Sequence, residues 1–356
     1  MGQLLIAGFN GQQIPAELRS LAREFSLGGV IFFARNVADP EQVAELAFDA
    51  SRLVPELPVW VSVDQEGGRV ARLKAPFTEW PPMATLGRSG DVRLAIRFAR
   101  ALAEELKAVG VTLDYTPVLD ILTNPKNPVI GDRALGEKAE DVARLGSAII
   151  TTLQGEGLAA CGKHFPGHGD TSTDSHFELP LVDHPPDRLR RVEFVPFRAA
   201  IAAGVATMMT AHVFVPALDE KRPASLSKRI VGDLLRDELS YEGVILSDDL
   251  EMKAIANEYA VPAAAVLALE AGCDGVLICS GDHDTQAAAI EALVHAVEED
   301  RLPLTRVDDA LARQRRAKER FLALPVAARP LSGRALRSAL GRDENRAVAE
   351  EMSRYL

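Results

Sequence analysis

Short apolar runs recur along the chain at 4–9, 30–33, 59–63, 111–115, 158–163, 207–212, 244–247 and 276–279. They are rich in Val, Ile and Leu, as strands covered on both faces of a parallel sheet are. Amphipathic segments separate them, at 40–53, 92–109, 140–154, 187–203, 228–239, 262–271 and 284–297. The segment 40–53 shows the logic. Asp39 is placed to cap it and Pro40 suits a first helical turn. Val43, Leu46, Ala47, Ala50 and Leu53 then fall on one face. Eight strands alternating with helices predict an α/β fold, a single (β/α)8 TIM-type barrel, with an open doubly wound sheet as the alternative.

Two regions break the alternation. Residues 64–91 lack a clean helical pattern and carry Trp80-Pro81-Pro82, which reads as a long excursion at the rim. After Leu304 a charged helix over 305–322 ends before Pro325. The stretch 327–356 is helical and polar, with Arg334, Arg337, Arg342, Asp343, Glu344 and Arg346. The expected division is a catalytic barrel over 1–323 and a C-terminal helical extension over 324–356. The extension either packs on the barrel's outside or serves as a partner-binding tail.

Composition narrows the functional classes. The 356 residues are 47% hydrophobic, enough for a well-filled interior. Forty basic and 51 acidic residues give a net charge of −11 with no block of one sign, which argues against a nucleic-acid partner. Cys161, Cys273 and Cys279 are odd in number, and two of them lie in apolar runs, so they read as reduced core thiols. The first residues carry no positive charge before a short apolar run, and no stretch is long enough to span a bilayer. A cytoplasmic, monomeric protein away from membranes is the expectation.

The chemistry concentrates in 163–176, Lys-His-Phe-Pro-Gly-His-Gly-Asp-Thr-Ser-Thr-Asp-Ser-His, directly after an apolar run. Three readings compete. His164 and His168 are four apart, a metal-ligand spacing on a helix, but Pro166-Gly167 lies between them and no Glu does. Hydroxyls and carboxylates could simply tie down a loop. Alternatively Asp174 and His176, two apart, form an acid–base pair in which the carboxylate fixes the imidazole's tautomer. His168 itself reads as loop-fixing. Other predicted strand ends carry Asp64 through Arg72, Asp120 with Asp132-Arg133, His212 and Asp248-Asp249. A parallel barrel gathers such ends at one mouth. No dinucleotide fingerprint, phosphate loop or nucleophile elbow is present. A carboxylate facing a titratable acid across a polar cleft suits glycosyl transfer to water, with no cofactor and no metal.

The segment Lys163-His164-Phe-Pro-Gly-His-Gly-Asp-Thr-x-x-Asp174-Ser-His176 resembles the signature of the family 3 glycoside hydrolases. More narrowly, it resembles the bacterial β-N-acetylhexosaminidases of peptidoglycan recycling. Asp64-Gln-Glu-Gly-Gly-Arg-Val-x-Arg72, Gly131-Asp132-Arg133, Met209-Thr-Ala-His212 and Ser247-Asp248-Asp249-Leu-x-Met252 match in the same order. The resemblance spans about residues 3 to 320. It implies a retaining hydrolase with Asp248 as nucleophile and His176 as general acid/base, partnered by Asp174. It implies sugar binding by Asp64, Arg72, Arg133, Lys163 and His164, and a GlcNAc-1,6-anhydro-MurNAc substrate, with or without peptide. A phosphorylase or β-glucosidase of the same family, or a sugar-binding protein, is the alternative. Alternation pairs Leu246 with Asp248 and Ser247 with Asp249, without saying which pair faces the axis.

Overall fold

A computed structural model describes residues 1–55, 57–322 and 331–356. Eight parallel strands close into a barrel in sequence order. They are β1 Leu5–Ala7, β2 Gly29–Phe32, β3 Trp60–Val63, β4 Leu113–Asp114, β5 Ala159–Phe165, β6 Thr207–Thr210, β7 Val244–Asp249 and β8 Gly275–Ile278. All eight predicted runs are therefore strands, and β8 pairs with β1 to complete the ring. The closed barrel holds and the open sheet does not.

The outer layer begins with α1 Ala16–Phe25, α2 Pro40–Ser51, α3 Ala84–Ser89, α4 Val92–Ala108 and α5 Ala139–Gly155. It continues with α6 Pro186–Arg191, α7 Phe194–Ala202, a π-helix over Arg229–Glu238, α8 Lys253–Ala256, α9 Val261–Ala271, α10 His283–Glu298 and α11 Leu304–Phe321. The start of α2 follows the sequence reading: Asp39 accepts the Gln42 N–H at 2.9 Å, and Pro40 opens the helix. Such a cap is worth about 1 kcal/mol. The expected helix over 187–203 is two. Pro196 has no N–H to donate to the carbonyl of Val192, and the chain breaks between α6 and α7 at Val192. The excursion after β3 is not wholly irregular, since α3 lies in it.

The C-terminal extension forms α12 Gly333–Ala339 and α13 Asp343–Ser353. Leu336, Leu340, Val348 and Met352 bury their side chains against the barrel's helices α2, α3 and α4. The expected boundary at 323/324 lies outside the described residues. Among the described residues no helix is long and apolar enough to cross a membrane.

Alternation sets what points into the barrel. Ile6, Ile31, Trp60, Leu113, Ala159, Cys161, Val244, Leu246 and Leu277 form one interior cluster. Helix α11 closes the N-terminal end of that cluster with Ala317, Phe321 and Leu322, and Gln314 accepts the Trp60 indole N–H at 3.0 Å. The opposite end, where the strands finish, is left open for polar side chains.

Candidate active site

Lys163 is the next inward position on β5 after Ala159 and Cys161, so it stands at the mouth on the barrel axis. Asp248 follows Val244 and Leu246 in the same way on β7, which settles the side that the sequence left open. A register shift between Leu246 and Asp249 adds one residue to β7. Such a bulge re-aims side chains at barrel rims. Asp249 therefore also reaches the mouth, where its Oδ1 accepts the N–H groups of Glu251 and Cys279.

The mouth is a cavity of about 320 Å³. All eight residues singled out in the sequence line it: Asp64, Arg72, Arg133, Lys163, His164, Asp174, His176 and Asp248. A larger hollow of about 550 Å³ lies at the N-terminal end of the barrel, lined chiefly by apolar side chains such as Phe48, Val111 and Leu322. Size alone does not mark the site; convergent titratable groups do.

One wall is an ion-pair lattice. Lys163 Nζ donates to Asp64 Oδ1 at 2.8 Å and meets Glu66 Oε1 at 2.7 Å. Arg133 donates twice to Glu66, at 2.8 and 2.9 Å, and Arg72 lies 3.4 Å from Asp64. Burial works against every charge here. The Arg133 and Lys163 cations nonetheless hold Glu66 far below the usual carboxylate range, and Asp64 with Glu66 raises Lys163. Asp114, behind this wall, has no cation in bonding contact among the described residues, and burial pushes its carboxyl up to about 8.

A second wall is imidazole. Asp120 Oδ2 pairs with His164 Nδ1 at 2.6 Å, and its Oδ1 accepts the His168 N–H at 2.6 Å. The His164 ring lines the cavity, and its Nε2 has no hydrogen-bond partner among the described residues. His168 does not line up with His164 as a ligand pair. Its ring is buried and spans Thr171 Oγ1 at 2.7 Å and Ser175 Oγ at 3.2 Å, and burial lowers its pKa to about 4. It is thus a neutral brace across the loop, and the loop-fixing reading holds for it. Among the described residues no group of three His, Cys, Asp or Glu side chains is placed to hold a metal.

That brace corrects one expectation. The small polar residues of Asp170–Ser175 predict a loop with little to pack, and therefore a mobile one. Thr171 and Ser175 are instead buried, Asp170 is held by Thr123 and His184, and Asn127 donates to the His168 carbonyl and to Thr171. Beyond these anchors the chain opens out. His176 is exposed, and its Nδ1 faces Asp174 Oδ1 at 2.7 Å, while its backbone N–H donates to the same oxygen at 2.8 Å. Burial, the largest single influence, raises the Asp174 carboxyl, but these two bonds and the nearby His176 and His168 rings together outweigh it and lower its pKa. The Nδ1 then carries the hydrogen, and Nε2 is the atom free to trade a proton.

Asp248 has the electrostatics of an ionised carboxylate. Burial pushes it up; the His212 and His164 rings, the Asp249 N–H at 2.8 Å and Lys163 more than offset this. Burial makes His212 less basic, and its Nε2 lies 2.9 Å from the Asp249 carbonyl oxygen, opposite Ser225 on Nδ1. Asp249 goes the other way: burial, with Glu251 and Asp248 adding to it, raises its carboxyl to about 7. Two adjacent aspartates are thus shifted in opposite directions from the ordinary carboxylate range. Glu66 and Asp120 are the residues that sequence reasoning noticed at strand ends but gave no role. Only their bonds, to Lys163 and Arg133 in one case and His164 in the other, reveal what they do.

The chain matches the model of the glycosyl hydrolase family 3 N-terminal domain over residues 1–317. A β-hexosaminidase of Nitrosomonas eutropha is 43% identical over 260 residues, 71% of this chain and 74% of that protein. One from Alkalilimnicola ehrlichii is 42% identical over 284 residues, 78% of this chain and 80% of its own. Among solved structures, a family 3 β-N-acetylglucosaminidase from a Paenibacillus strain superposes with a TM-score of 0.95 at 44% identity, covering 99% of this chain and 67% of that one. NagZ from Neisseria gonorrhoeae, solved with N-trifluoroacetyl-D-glucosamine, gives 0.79 at 30% identity over 99% and 97%. With an aspartate and an Asp–His pair on one barrel mouth and these relatives around it, the chain belongs to glycosyl hydrolase family 3.

Proposed function

We propose that the protein is a retaining β-N-acetylglucosaminidase that removes a terminal non-reducing GlcNAc from GlcNAc-1,6-anhydro-MurNAc, with or without its peptide, in cytoplasmic peptidoglycan recycling. The observation that carries this reading is the shared cavity. Asp248, kept ionised, and the Asp174–His176 pair line the same 320 Å³ space as the cations and carboxylates that suit sugar hydroxyls.

In the first step an Asp248 oxygen attacks the anomeric carbon as the glycosidic bond breaks, and the leaving oxygen takes the proton of His176 Nε2. Asp174 holds Nδ1–H throughout and stabilises the ring. In the second step Nε2 accepts a proton from water, whose oxygen displaces Asp248 at the same carbon. Two inversions give net retention. Asp64, Arg72, Arg133, Lys163 and His164 hold the sugar. Asp249, its carboxyl raised to about 7, adds less negative charge beside the nucleophile than an ordinary aspartate would.

The names of the relatives support GlcNAc as the sugar that is released. A chromogenic GlcNAc glycoside tests the activity directly. His176→Ala should slow a disaccharide with a poor leaving group by about 10²–10⁴-fold, the usual worth of a general acid. An activated aryl glycoside, whose leaving group needs less protonation, should lose far less at that step. Equal losses on both would remove His176 from the donor role. Parallel assays with and without phosphate separate hydrolysis from phosphorolysis.

A further inference from the structure

The matched family region ends at 317, yet the chain goes on to build α12 and α13. Their seam with the barrel centres on one side chain. Glu105, on α4, is 2% exposed and has no cation paired to it among the described residues. Its carboxylate is instead satisfied by four donors from two distant segments. Thr78 gives its N–H at 2.8 Å and its hydroxyl at 2.6 Å. Gly341 gives its N–H at 2.9 Å, and Asn345 gives its side-chain amide at 3.0 Å. Thr78 belongs to the excursion after β3; Gly341 and Asn345 belong to the extension. The two segments also touch directly. Gly341 has a φ of +52°, and a Cβ there would stand 2.2 Å from the Pro76 carbonyl oxygen, so only glycine fits.

The excursion is one knot that reaches the sugar site. Trp80, two residues beyond Thr78, packs edge-on against Phe98 of α4 with ring centroids 5.0 Å apart. The Trp80 carbonyl accepts the Gly68 N–H at 2.8 Å, and Gly68 lies two residues from Glu66, the partner of Lys163 and Arg133. Gln65 Oε1 accepts the N–H groups of Arg72 and Leu73 at 2.8 and 3.0 Å, which sets where Arg72 leaves the backbone.

We propose that the C-terminal extension is a working part of the substrate site. Through Glu105 and Thr78 it holds the excursion in the position that presents Arg72 and, by way of Glu66, Arg133 to the sugar. Glu105, Thr78 and Asn345 are positioning residues; none touches the cavity. The proposal rests on the reading above that those arginines grip substrate. A purely structural extension would stabilise the fold as a whole without this directed effect on binding.

The test uses Thr78→Val, Thr78→Ser and Asn345→Ala in the full chain, read by steady-state kinetics on a chromogenic GlcNAc glycoside and by amide hydrogen exchange. Thr78→Val and Asn345→Ala should raise KM by about tenfold, the scale of one hydrogen bond to a charged group, with kcat little changed. Thr78→Ser, which keeps the hydroxyl, should restore the wild-type KM. Exchange over 65–82 should quicken in the first two variants while β5 to β8 stay protected. An unchanged KM, or exchange that is unaltered or quickens uniformly across the barrel, overturns the proposal. Thr78→Val carries the test alone should Asn345→Ala not fold. The exchange arm needs no substrate, so it still judges the coupling if the wild type proves inactive on GlcNAc glycosides, which would sink the functional reading instead.

Discussion

Two lysines are buried in this barrel, one at each end, and their chemistry is opposite. Lys163, at the mouth, contacts Asp64 and Glu66 and is held as a cation well above its ordinary pKa. Lys318, on α11 at the closed end, is fully buried and donates to the Gln3 side chain at 2.6 Å and the Gly28 carbonyl at 2.7 Å. Neither partner carries a charge, and burial lowers its pKa to about 7. Burial is equal; the sign of the neighbours decides. The floor needs only to be closed and can tolerate a lysine that loses its proton. The mouth must hold fixed charges in low dielectric, and it does so by setting Lys163 and Arg133 against Asp64 and Glu66.

The largest effect follows from removing a partner at the mouth. Lys163→Met leaves Asp64 with Arg72 and Glu66 with Arg133 alone, and removing one partner from a buried charge cluster costs on the order of 3 kcal/mol. Denaturant unfolding should show that loss, and glycosidase activity should fall below detection with it. A stable, active Lys163→Met variant would break the comparison at once.

At the floor the same substitution should behave in the opposite sense. The unfolded Lys318 keeps its proton to about pH 10.5, whereas the folded one gives it up near 7. Between those values the unfolded state binds more protons, so the wild type gains stability as pH rises. The penalty is complete below pH 7. Lys318→Met removes it, so the variant should be the more stable protein at pH 7, on the order of a few kcal/mol at most. Its advantage should shrink toward pH 10. Thermal unfolding of both proteins across that range checks this; parallel pH profiles would contradict it.

Asp114 sharpens the rule with a smaller effect. It stands near the carboxylates of the mouth, and burial with their charge raises it to about 8. The folded protein therefore binds its proton between about pH 4 and 8 where the unfolded chain does not, and stability is lost as pH climbs through that window. Asp114→Asn can still accept the Gln65 N–H that Asp114 Oδ1 takes at 2.9 Å. Its stability relative to wild type should rise over the same window. The gain should be modest, because an amide buries hydrogens that find no acceptor. A difference that does not vary with pH would mean Asp114 is ionised.

The barrel was legible because every strand is a compact apolar run, and the site because carboxylates, Lys and His sit at the ends of those runs. Periodicity could pair Leu246 with Asp248 but not orient them; that took the closed ring. The split of 187–203 at Val192 was readable in principle from Pro196. The winding of Arg229–Glu238 as a π-helix was not, since its buried Ile230, Val231, Leu234 and Leu235 are spaced as on an ordinary amphipathic α-helix. The anchoring of 168–175 was missed for a physical reason: its partners Thr123, Asn127 and His184 are distant in sequence and polar. Asn345 and Glu105 were invisible for the same reason, being 240 residues apart.

The account depends most on Asp248 forming a bond to the sugar. Incubation with an activated, slowly released GlcNAc substrate, acid quenching and peptide mass mapping would test it. The account predicts a single N-acetylhexosaminyl adduct on Asp248, with β-GlcNAc as the first product seen by NMR. An adduct on Asp249 or Asp64, or α-GlcNAc released first with no adduct, would contradict it.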